Sequence, residues 1–259
     1  MNEFLPLANR MADVAGEIIK QYFRKAFDVE SKRDSSPVTV ADRAVEEALR
    51  DIIEENRPDD GILGEEFGEK ESKSGLTWVL DPIDGTKSFM IGRPTFGTLI
   101  ALCDGIEPKL GIIDQPISQE RWVGVEGAQT TMNGEHVQTR ACKDIYDARI
   151  CSTTPDMFDD LVEFGRAYTI FETTGHKMVW GGDCYMYGLI ASGYMDVAFE
   201  QNLSPYDFAA LVPVIQGAGG HISNWRGEPL TLNSVGKVIA VGDPDLWEII
   251  DRMIKKSPF

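Results

Sequence analysis

The sequence predicts one layered body in which an α+β half, residues 1–140, joins an α/β half, residues 141–259. Three observations support this prediction. Two helical patterns open the chain, short apolar segments separated by turn residues follow them, and strand and helix patterns alternate after about residue 140. Because no repeat and no proline-rich linker separates the halves, we expect them to pack against each other.

The N-terminal half is expected to begin with two helices. Apolar side chains recur at three- and four-residue steps over residues 3–26 and again over residues 41–56, which is the spacing of an amphipathic helix. The polar residues between these patterns are expected to form a loop that turns at Pro37. Thr39 and Asp42 have the spacing of a capping box, which alone would explain both residues.

Short strands are expected from about residue 60 onward. The apolar segments are GILGEEF, TWVLDP, FGTLIALC, PKLGIIDQP and ERWVGVEG, and their close spacing predicts a mostly antiparallel meander. The pair Asn133-Gly134 predicts a two-residue hairpin turn. The charged residues 68–75 are expected to form a solvated loop.

The C-terminal half is expected to alternate between strands and helices, a pattern typical of an α/β arrangement. The predicted strands cover residues 148–152, 194–200, 220–224 and 237–241. The predicted helices cover residues 155–166, the segment GGDCYMYGLIASG that ends at Gly193, the segment YDFAALVPVIQGAGG, and residues 244–255.

The composition disfavours several classes of partner. A net charge of -17, from 42 acidic and 25 basic residues, argues against binding to nucleic acid or to an anionic membrane. We expect neither a signal peptide nor a membrane span. The four cysteines lack CxxC spacing and are expected to be reduced core thiols of a cytoplasmic protein. The three histidines fit no paired metal-ligand spacing, which indicates structural or surface roles.

Asp81 and Asp84 flank a proline in the segment TWVLDPIDGTKSF. Pro82 restricts the chain so that it can turn after an extended Asp81, and the two carboxylates and the carbonyl of Ile83 can then converge. Such an all-oxygen site suits Mg²⁺. Gly85 lets a ligand approach the backbone, and the helix expected after it offers free N–H groups to phosphate. Alternatively, Asp84 only caps this helix and Asp81 lies in a polar turn.

Three more carboxylates have both a structural and a functional interpretation. If the strand before Glu65 lies beside residues 77–80, Glu65 and Asp81 face the same sheet edge; otherwise Glu65 belongs to a solvated loop. Asp207 lies at a helix start, where a plain N-cap would explain it. Asp42 is explained by the capping box. These structural interpretations weaken if one fold brings all of the carboxylates together.

The segments GEE, DPIDGT and PYDFAALVPVIQGAGG together resemble the inositol monophosphatase family over nearly the whole chain. The resemblance implies a Mg²⁺-dependent phosphomonoesterase with an αβαβα sandwich, a fold that fructose bisphosphatases share. Within the family, segments such as GIIDQP and GGDCY are most similar to the histidinol-phosphatase branch. Plain inositol monophosphatases carry small neutral residues where this chain has Asp183. The family also implies a homodimer.

The resemblance assigns metal ligands to five positions and implies two or three Mg²⁺ ions. Glu65, Asp81 and the carbonyl of Ile83 would hold the first ion. Asp81, Asp84 and Asp207 would hold the second. Glu65, which also counts among the catalytic groups, would help to hold a weaker third ion.

The resemblance further implies that water is activated without a phosphoenzyme. Thr86 would orient the attacking water, and Asp42 would stand behind it as the second half of an activating pair. The amides of Gly85 and Thr86 would bind phosphate oxygens, beside Asp84.

Asp183 and Glu200 are left over once the metal ligands are assigned. An N-cap would explain Asp183 and an exposed strand end would explain Glu200, but in the family both positions lie beside the alcohol portion of the substrate. Carboxylates suit an ammonium group better than a polyol. We therefore expect a small phosphorylated amino alcohol, L-histidinol phosphate of histidine biosynthesis, as the substrate. The alternative is an inositol monophosphatase with a broad substrate range.

Overall fold

The computed structural model describes residues 1–25, 37–158, 161–173, 178–234 and 236–256. The α-helices are α1 (Leu5–Tyr22), α2 (Pro37–Asn56), α3 (Thr86–Met90), α4 (Leu161–Thr173), α5 (Tyr185–Ala191), α6 (Pro205–Phe208), α7 (Leu211–Gly217) and α8 (Pro244–Lys256). Short 3₁₀ helices are Asn2–Phe4, Ile145–Asp147 and Pro155–Met157. The first eight strands are β1 (Gly61–Gly64), β2 (Gly68–Lys70), β3 (Leu76–Asp84), β4 (Gly97–Asp104), β5 (Glu107–Gln115), β6 (Glu120–Val125), β7 (Thr131–Met132) and β8 (Glu135–His136). The remaining strands are β9 (Ile150–Ser152), β10 (Val179–Trp180), β11 (Val197–Leu203), β12 (His221–Ser223) and β13 (Gly236–Val241).

The strands form two sheets. The first has the order β2-β1-β3-β4-β5-β6-β7-β8, and its pairs are antiparallel except for β1 beside β3. The second has the order β10-β9-β11-β13-β12 and mixes parallel with antiparallel pairs. The division of the chain near residue 140 stays a prediction.

Five layers follow from how these elements bury their apolar faces. Helices α1 and α2 cover one face of the first sheet, α5 to α7 lie between the two sheets, and α4 and α8 cover the outer face of the second. Strand β3 shows the alternation that this needs: Trp78 and Leu80 face α1 and α2, whereas Val79 faces the middle layer. The predicted αβαβα sandwich is confirmed.

The middle layer lies directly on the first sheet. A Cβ atom added to Gly111 of β5 would collide with the carbonyl of Ala210, and one added to Gly124 of β6 would collide with the backbone of Pro213. Glycine at these two positions therefore lets the backbones of β5 and β6 contact the backbone around the start of α7. Helix α6, which bears Asp207, lies next to this contact.

Several predicted boundaries in the first half were wrong. Helix α2 begins at Pro37, because proline suits the first helical position as well as a turn. Thr39 and Asp42 lie inside this helix, so they are not its capping box; residues 26–36, which include much of the expected loop, lie outside the described residues. Part of the expected loop at 68–75 is strand β2. Asn133-Gly134 does join β7 to β8 as a two-residue turn.

The second half also departs from the predicted boundaries. Pro155–Met157 is a 3₁₀ helix, and α4 begins only at Leu161. The helix expected over YDFAALVPVIQGAGG is two helices, α6 and α7, because Pro213 has no N–H to bond to the carbonyl four residues earlier. All four cysteines are free and buried. Among the residues that the structure describes, no helix has the length and apolar character of a bilayer span.

Candidate active site

Three aspartates converge where β3 ends. One carboxylate oxygen from each of Asp81, Asp84 and Asp207 lies within 4.8 Å of the other two. The chain was expected to turn after Asp81, but strand β3 continues to Asp84 with a register shift against β4 between the two aspartates. Residues three apart on a regular strand would face opposite sides, so this irregularity lets both carboxylates reach one site.

Asp207 approaches the same point from α6. It is the third residue of that helix, and its Oδ2 accepts a hydrogen bond of 2.6 Å from the N–H of Ser204, the N-cap residue. The capping contact fixes the side chain with one carboxylate oxygen. Asp207 thus has a capping role and a place in the acidic cluster at the same time.

Glu65 lies at the same edge as Asp81, as the strand pairing requires. Strand β1 runs parallel to β3, and the N–H of Glu65 donates to the carbonyl of Leu80 at 3.3 Å. Burial of its carboxyl group and the negative charge of Asp207 raise the pKa of Glu65 to about 7. The side chain retains contact with solvent, so it forms the open side of the cluster.

Without a bound cation, the carboxyl groups of the three aspartates have raised pKa values. Burial, reinforced by the neighbouring carboxylates, raises the pKa of both Asp81 and Asp84 well above the ordinary range. Burial raises the pKa of Asp207 to about 6. The alternative in which Asp84 caps α3 is wrong, because its Oδ2 instead accepts a 2.6 Å hydrogen bond from the N–H of Cys184.

These residues fit a hard divalent cation. The Oδ1 atom of Asp81 is buried and has no hydrogen-bond partner, which is costly unless a ligand occupies its lone pairs. The available donors are all oxygens, the ligand type that Mg²⁺ prefers.

The turn after Asp84 brings backbone groups to the cluster. Gly85 has φ +84° and is the N-cap residue of α3, and a Cβ atom there would lie 2.8 Å from the Cβ of Asp183. The hydroxyl of Thr86 donates to the carbonyl of Ile83 at 3.3 Å. If the Thr86 hydroxyl rotates away, the Ile83 carbonyl can bind another ligand in its place.

Asp42 is buried beside the Glu65 turn. Burial, and then the charges of Glu65 and Glu66, raises its pKa to about 8, and its Oδ1 atom has no hydrogen-bond partner. Over the described part of the chain no hydrogen bond joins Asp42 to Thr86, so their pairing stays a prediction.

A cavity of about 400 Å³ opens from the cluster and is lined by Asp84, Gly85, Thr86, Asp183 and Glu200. The alternative in which Glu200 lies at an exposed strand end is wrong, because β11 continues to Leu203 and leaves Glu200 only 3% exposed. Burial raises the pKa of Glu200 to about 7, and the hydroxyl of Tyr187 donates to its Oε2 at 2.7 Å.

Asp183 forms part of the cavity wall next to the turn at Gly85. Its Oδ2 accepts hydrogen bonds from the hydroxyls of Ser88 at 2.6 Å and Thr95 at 2.5 Å. Its backbone has φ +43°, an unfavourable value for a residue other than glycine, which the surrounding contacts must offset. The N-cap explanation for Asp183 is wrong, because Cys184 is the N-cap residue of α5.

Sequence reasoning missed the groups that hold these two carboxylates. Ser88, Thr95 and the hydroxyl of Tyr187 gave no local signal, since the first two meet an aspartate about ninety positions away in the chain. Only the segment TKSF, next to the aspartate pair, could have drawn attention to Ser88.

The raised pKa values predict that the metal-free protein loses stability as pH rises. Asp42, Glu65 and Asp207 bind protons in the folded state up to about pH 8, 7 and 6, whereas unfolded carboxyls release them near pH 4. The folded state therefore binds more protons between these limits, and the melting temperature in EDTA should fall from pH 5 to pH 8. Mg²⁺ should remove most of this fall. A metal-free melting temperature that is flat over this range would contradict the prediction.

The comparisons with known proteins agree on one family. The model of the inositol monophosphatase family matches residues 1–257. The chain is 46% identical over 257 residues to "Bifunctional phosphatase IMPL2, chloroplastic" of Arabidopsis thaliana, covering 96% of this chain and 74% of that protein. It is 38% identical to "Histidinol-phosphatase" of Chlorobaculum parvum, covering 93% of each. A solved inositol monophosphatase from Zymomonas mobilis has a TM-score of 0.91 and 46% identity, with 98% of both chains covered.

Proposed function

The chain belongs to the inositol monophosphatase family, whose members are metal-dependent phosphatases, and from this premise we propose that it hydrolyses L-histidinol phosphate to L-histidinol and phosphate. One observation supports this choice of substrate most directly. Two buried carboxylates, Asp183 and Glu200, line the cavity next to the acidic cluster. The similarity to proteins named histidinol-phosphatase supports the same choice.

In this proposal the acidic cluster binds Mg²⁺. Glu65, Asp81 and the Ile83 carbonyl would hold one ion, Asp81, Asp84 and Asp207 a second, and Glu65 would contribute to a weaker third. Bound Mg²⁺ would neutralise phosphate charge and lower the pKa of water. The orphaned Oδ1 of Asp81 and the convergence of the three aspartates support this assignment.

The residues around the turn would orient phosphate and water. The amides of Gly85 and Thr86 would donate to phosphate oxygens, at the turn where Gly85 has no Cβ and the backbone packs closely against Asp183. The Thr86 hydroxyl would turn from the Ile83 carbonyl and orient a water molecule, and the unpaired Oδ1 of Asp42 would accept a hydrogen bond from that hydroxyl. The proton that the attacking water loses would pass through this pair, and the oxygen of the leaving alcohol would take up a proton from solvent. No covalent phosphoenzyme is needed.

The charge of the cavity favours a cationic alcohol. The charge of Asp183 raises the pKa of Glu200, after burial, so the two groups lie close enough to repel each other. An ammonium group between them would relieve that repulsion and gain charge-assisted hydrogen bonds. A polyol would form no charge-assisted hydrogen bond with a positive group of its own.

The rival substrate is an inositol phosphate, which the similarity to the Zymomonas mobilis protein favours. The test is a panel of histidinol phosphate, inositol 1-phosphate and glycerol phosphate with saturating Mg²⁺. We expect kcat/KM for histidinol phosphate to be at least about tenfold the other values, because charge-assisted hydrogen bonds contribute about 1.5–3 kcal/mol. Equal or faster hydrolysis of the inositol ester would contradict the proposal. We also propose a homodimer, which light scattering would test.

A further inference from the structure

We propose that Glu46 is a positioning residue that fixes the backbone after Glu65 and thereby sets the place of the Glu65 carboxylate at the metal site. This rests on the metal role that the proposed function gives to Glu65. Glu46 lies on α2, one turn after Asp42, and its side chain is fully buried. A fully buried carboxylate is costly unless its oxygens accept hydrogen bonds, so its partners identify its role.

Glu46 binds the two amides that directly follow Glu65. Its Oε2 accepts from the N–H of Glu66 at 2.7 Å, and its Oε1 accepts from the N–H of Phe67 at 3.2 Å. On the other side, the N–H of Glu65 itself bonds to the carbonyl of Leu80 in β3. The backbone of Glu65 is therefore held from both directions, by α2 and by β3.

Arg50 completes this attachment of the turn to α2. Its Nε donates to Oε1 of Glu46 at 2.8 Å, and its Nη2 donates to the carbonyl of Gly68, where β2 begins. The guanidinium thus compensates the charge of Glu46 and holds the far end of the same turn. Both Glu46 oxygens accept protein donors, so Glu46 acts through the turn and not as a metal ligand.

The last residue of β1, Gly64, leaves space for the Glu46 carboxylate. A Cβ atom added to Gly64, the residue before Glu65, would collide with Oε1 of Glu46. Glycine at this position therefore leaves the space that the carboxylate fills. Metal ligands bind well only when surrounding groups hold them in place, and loss of such a group typically weakens metal affinity by about 10–100-fold.

Two variants separate geometry from charge. Glu46→Asp keeps the negative charge but is one methylene too short to reach both amides, whereas Glu46→Gln keeps the length and loses the charge. The matched control is Asp60→Asn. Asp60 is also buried and paired with an arginine, but it precedes β1 at the end away from Glu65, where it accepts from Arg57 and the indole of Trp78.

The measurement is Mg²⁺ binding to the metal-free protein by calorimetry, with the rate of amide exchange at Glu66 and Phe67. We expect Glu46→Asp to weaken Mg²⁺ binding at least about tenfold and to speed exchange at both amides, with Glu46→Gln also weakened. Asp60→Asn should lower the melting temperature and leave Mg²⁺ affinity at the wild-type value. Glu65→Gln is measured alongside as a direct ligand variant.

The outcomes distinguish the two levels of inference. If Glu65→Gln weakens binding and Glu46→Asp does not, Glu46 has no positioning role although the metal site stands. If Asp60→Asn weakens Mg²⁺ binding as much as Glu46→Asp, general destabilisation explains the loss and the inference is wrong. If the wild-type protein binds no Mg²⁺, or Glu65→Gln binds it normally, the proposed metal role itself fails. Should Glu46→Asp not fold, Glu46→Gln carries the same comparison with Asp60→Asn.

Discussion

Asp84→Asn is expected to abolish turnover while the fold stays intact. The change removes one of three converging carboxylates but keeps the side-chain shape and an oxygen that can still accept the N–H of Cys184. Loss of a direct ligand should cost more than the roughly 10–100-fold typical of outer-shell partners, so kcat should fall by more than about a hundredfold. Phosphate release at saturating Mg²⁺ and saturating substrate measures this.

The stability of Asp84→Asn gives an independent check. Burial and the charges around it raise the pKa of Asp84, so a neutral side chain should leave the metal-free melting temperature unchanged or higher. Asp114→Asn is the control: Asp114 is buried on β5 but bonds to Arg121 at 2.6 Å, away from the cluster. That variant should keep kcat. An Asp84→Asn enzyme with wild-type kcat would refute the ligand assignment.

Glu200→Gln is expected to raise KM for histidinol phosphate much more than for glycerol phosphate. The amide keeps the size of the side chain and removes the charge that would meet the ammonium group. A charge-assisted hydrogen bond contributes about 1.5–3 kcal/mol, so the ratio of the two KM values should shift roughly 10–100-fold. Asp183→Ala should shift the ratio in the same direction. A uniform effect on both esters would remove these residues from substrate selection.

The same carboxylate should make selectivity depend on pH. Glu200 has its pKa raised to about 7 by burial, so it is neutral below that pH and ionised above it. The kcat/KM ratio of histidinol phosphate to glycerol phosphate should therefore increase from pH 6 to pH 8 in the wild type. The ratio cancels titration of phosphate and of the metal ligands, and titration of the substrate imidazole near pH 6.5 is common to the wild type and Glu200→Gln, so the ratio should increase more in the wild type than in the variant. A parallel rise in the variant would contradict the role of Glu200.

Local chain geometry explains what could be predicted from the sequence. The spacing of Asp81 and Asp84 around a proline, and the short strand before Glu65, indicated one sheet edge, and the pairing of β1 with β3 forms it. Helix boundaries failed where proline allowed two interpretations, as at Pro37.

The surroundings of the second pair of carboxylates could not be predicted. Glu200 is buried because β11 extends beyond it and Tyr187 covers it, and Asp183 is fixed by hydroxyls of α3 and of the segment before β4. These contacts join elements far apart in the chain. Periodicity and residue spacing within one segment therefore could not predict these contacts.

The backbone contacts of Gly111 and Gly124 with the middle layer bear on the order in which the site forms during synthesis of the chain. Glu65, Asp81 and Asp84 leave the ribosome early, but Asp207 arrives only with α6, which lies next to that backbone contact. In the proposed assignment, an ion bound by Asp81, Asp84 and Asp207 would link the first and last thirds of the polypeptide. A cross-link that closes so long a loop restricts the unfolded chain strongly. This link can form only after α6 has been synthesised, whereas the ligands of the other proposed ion are all present much earlier.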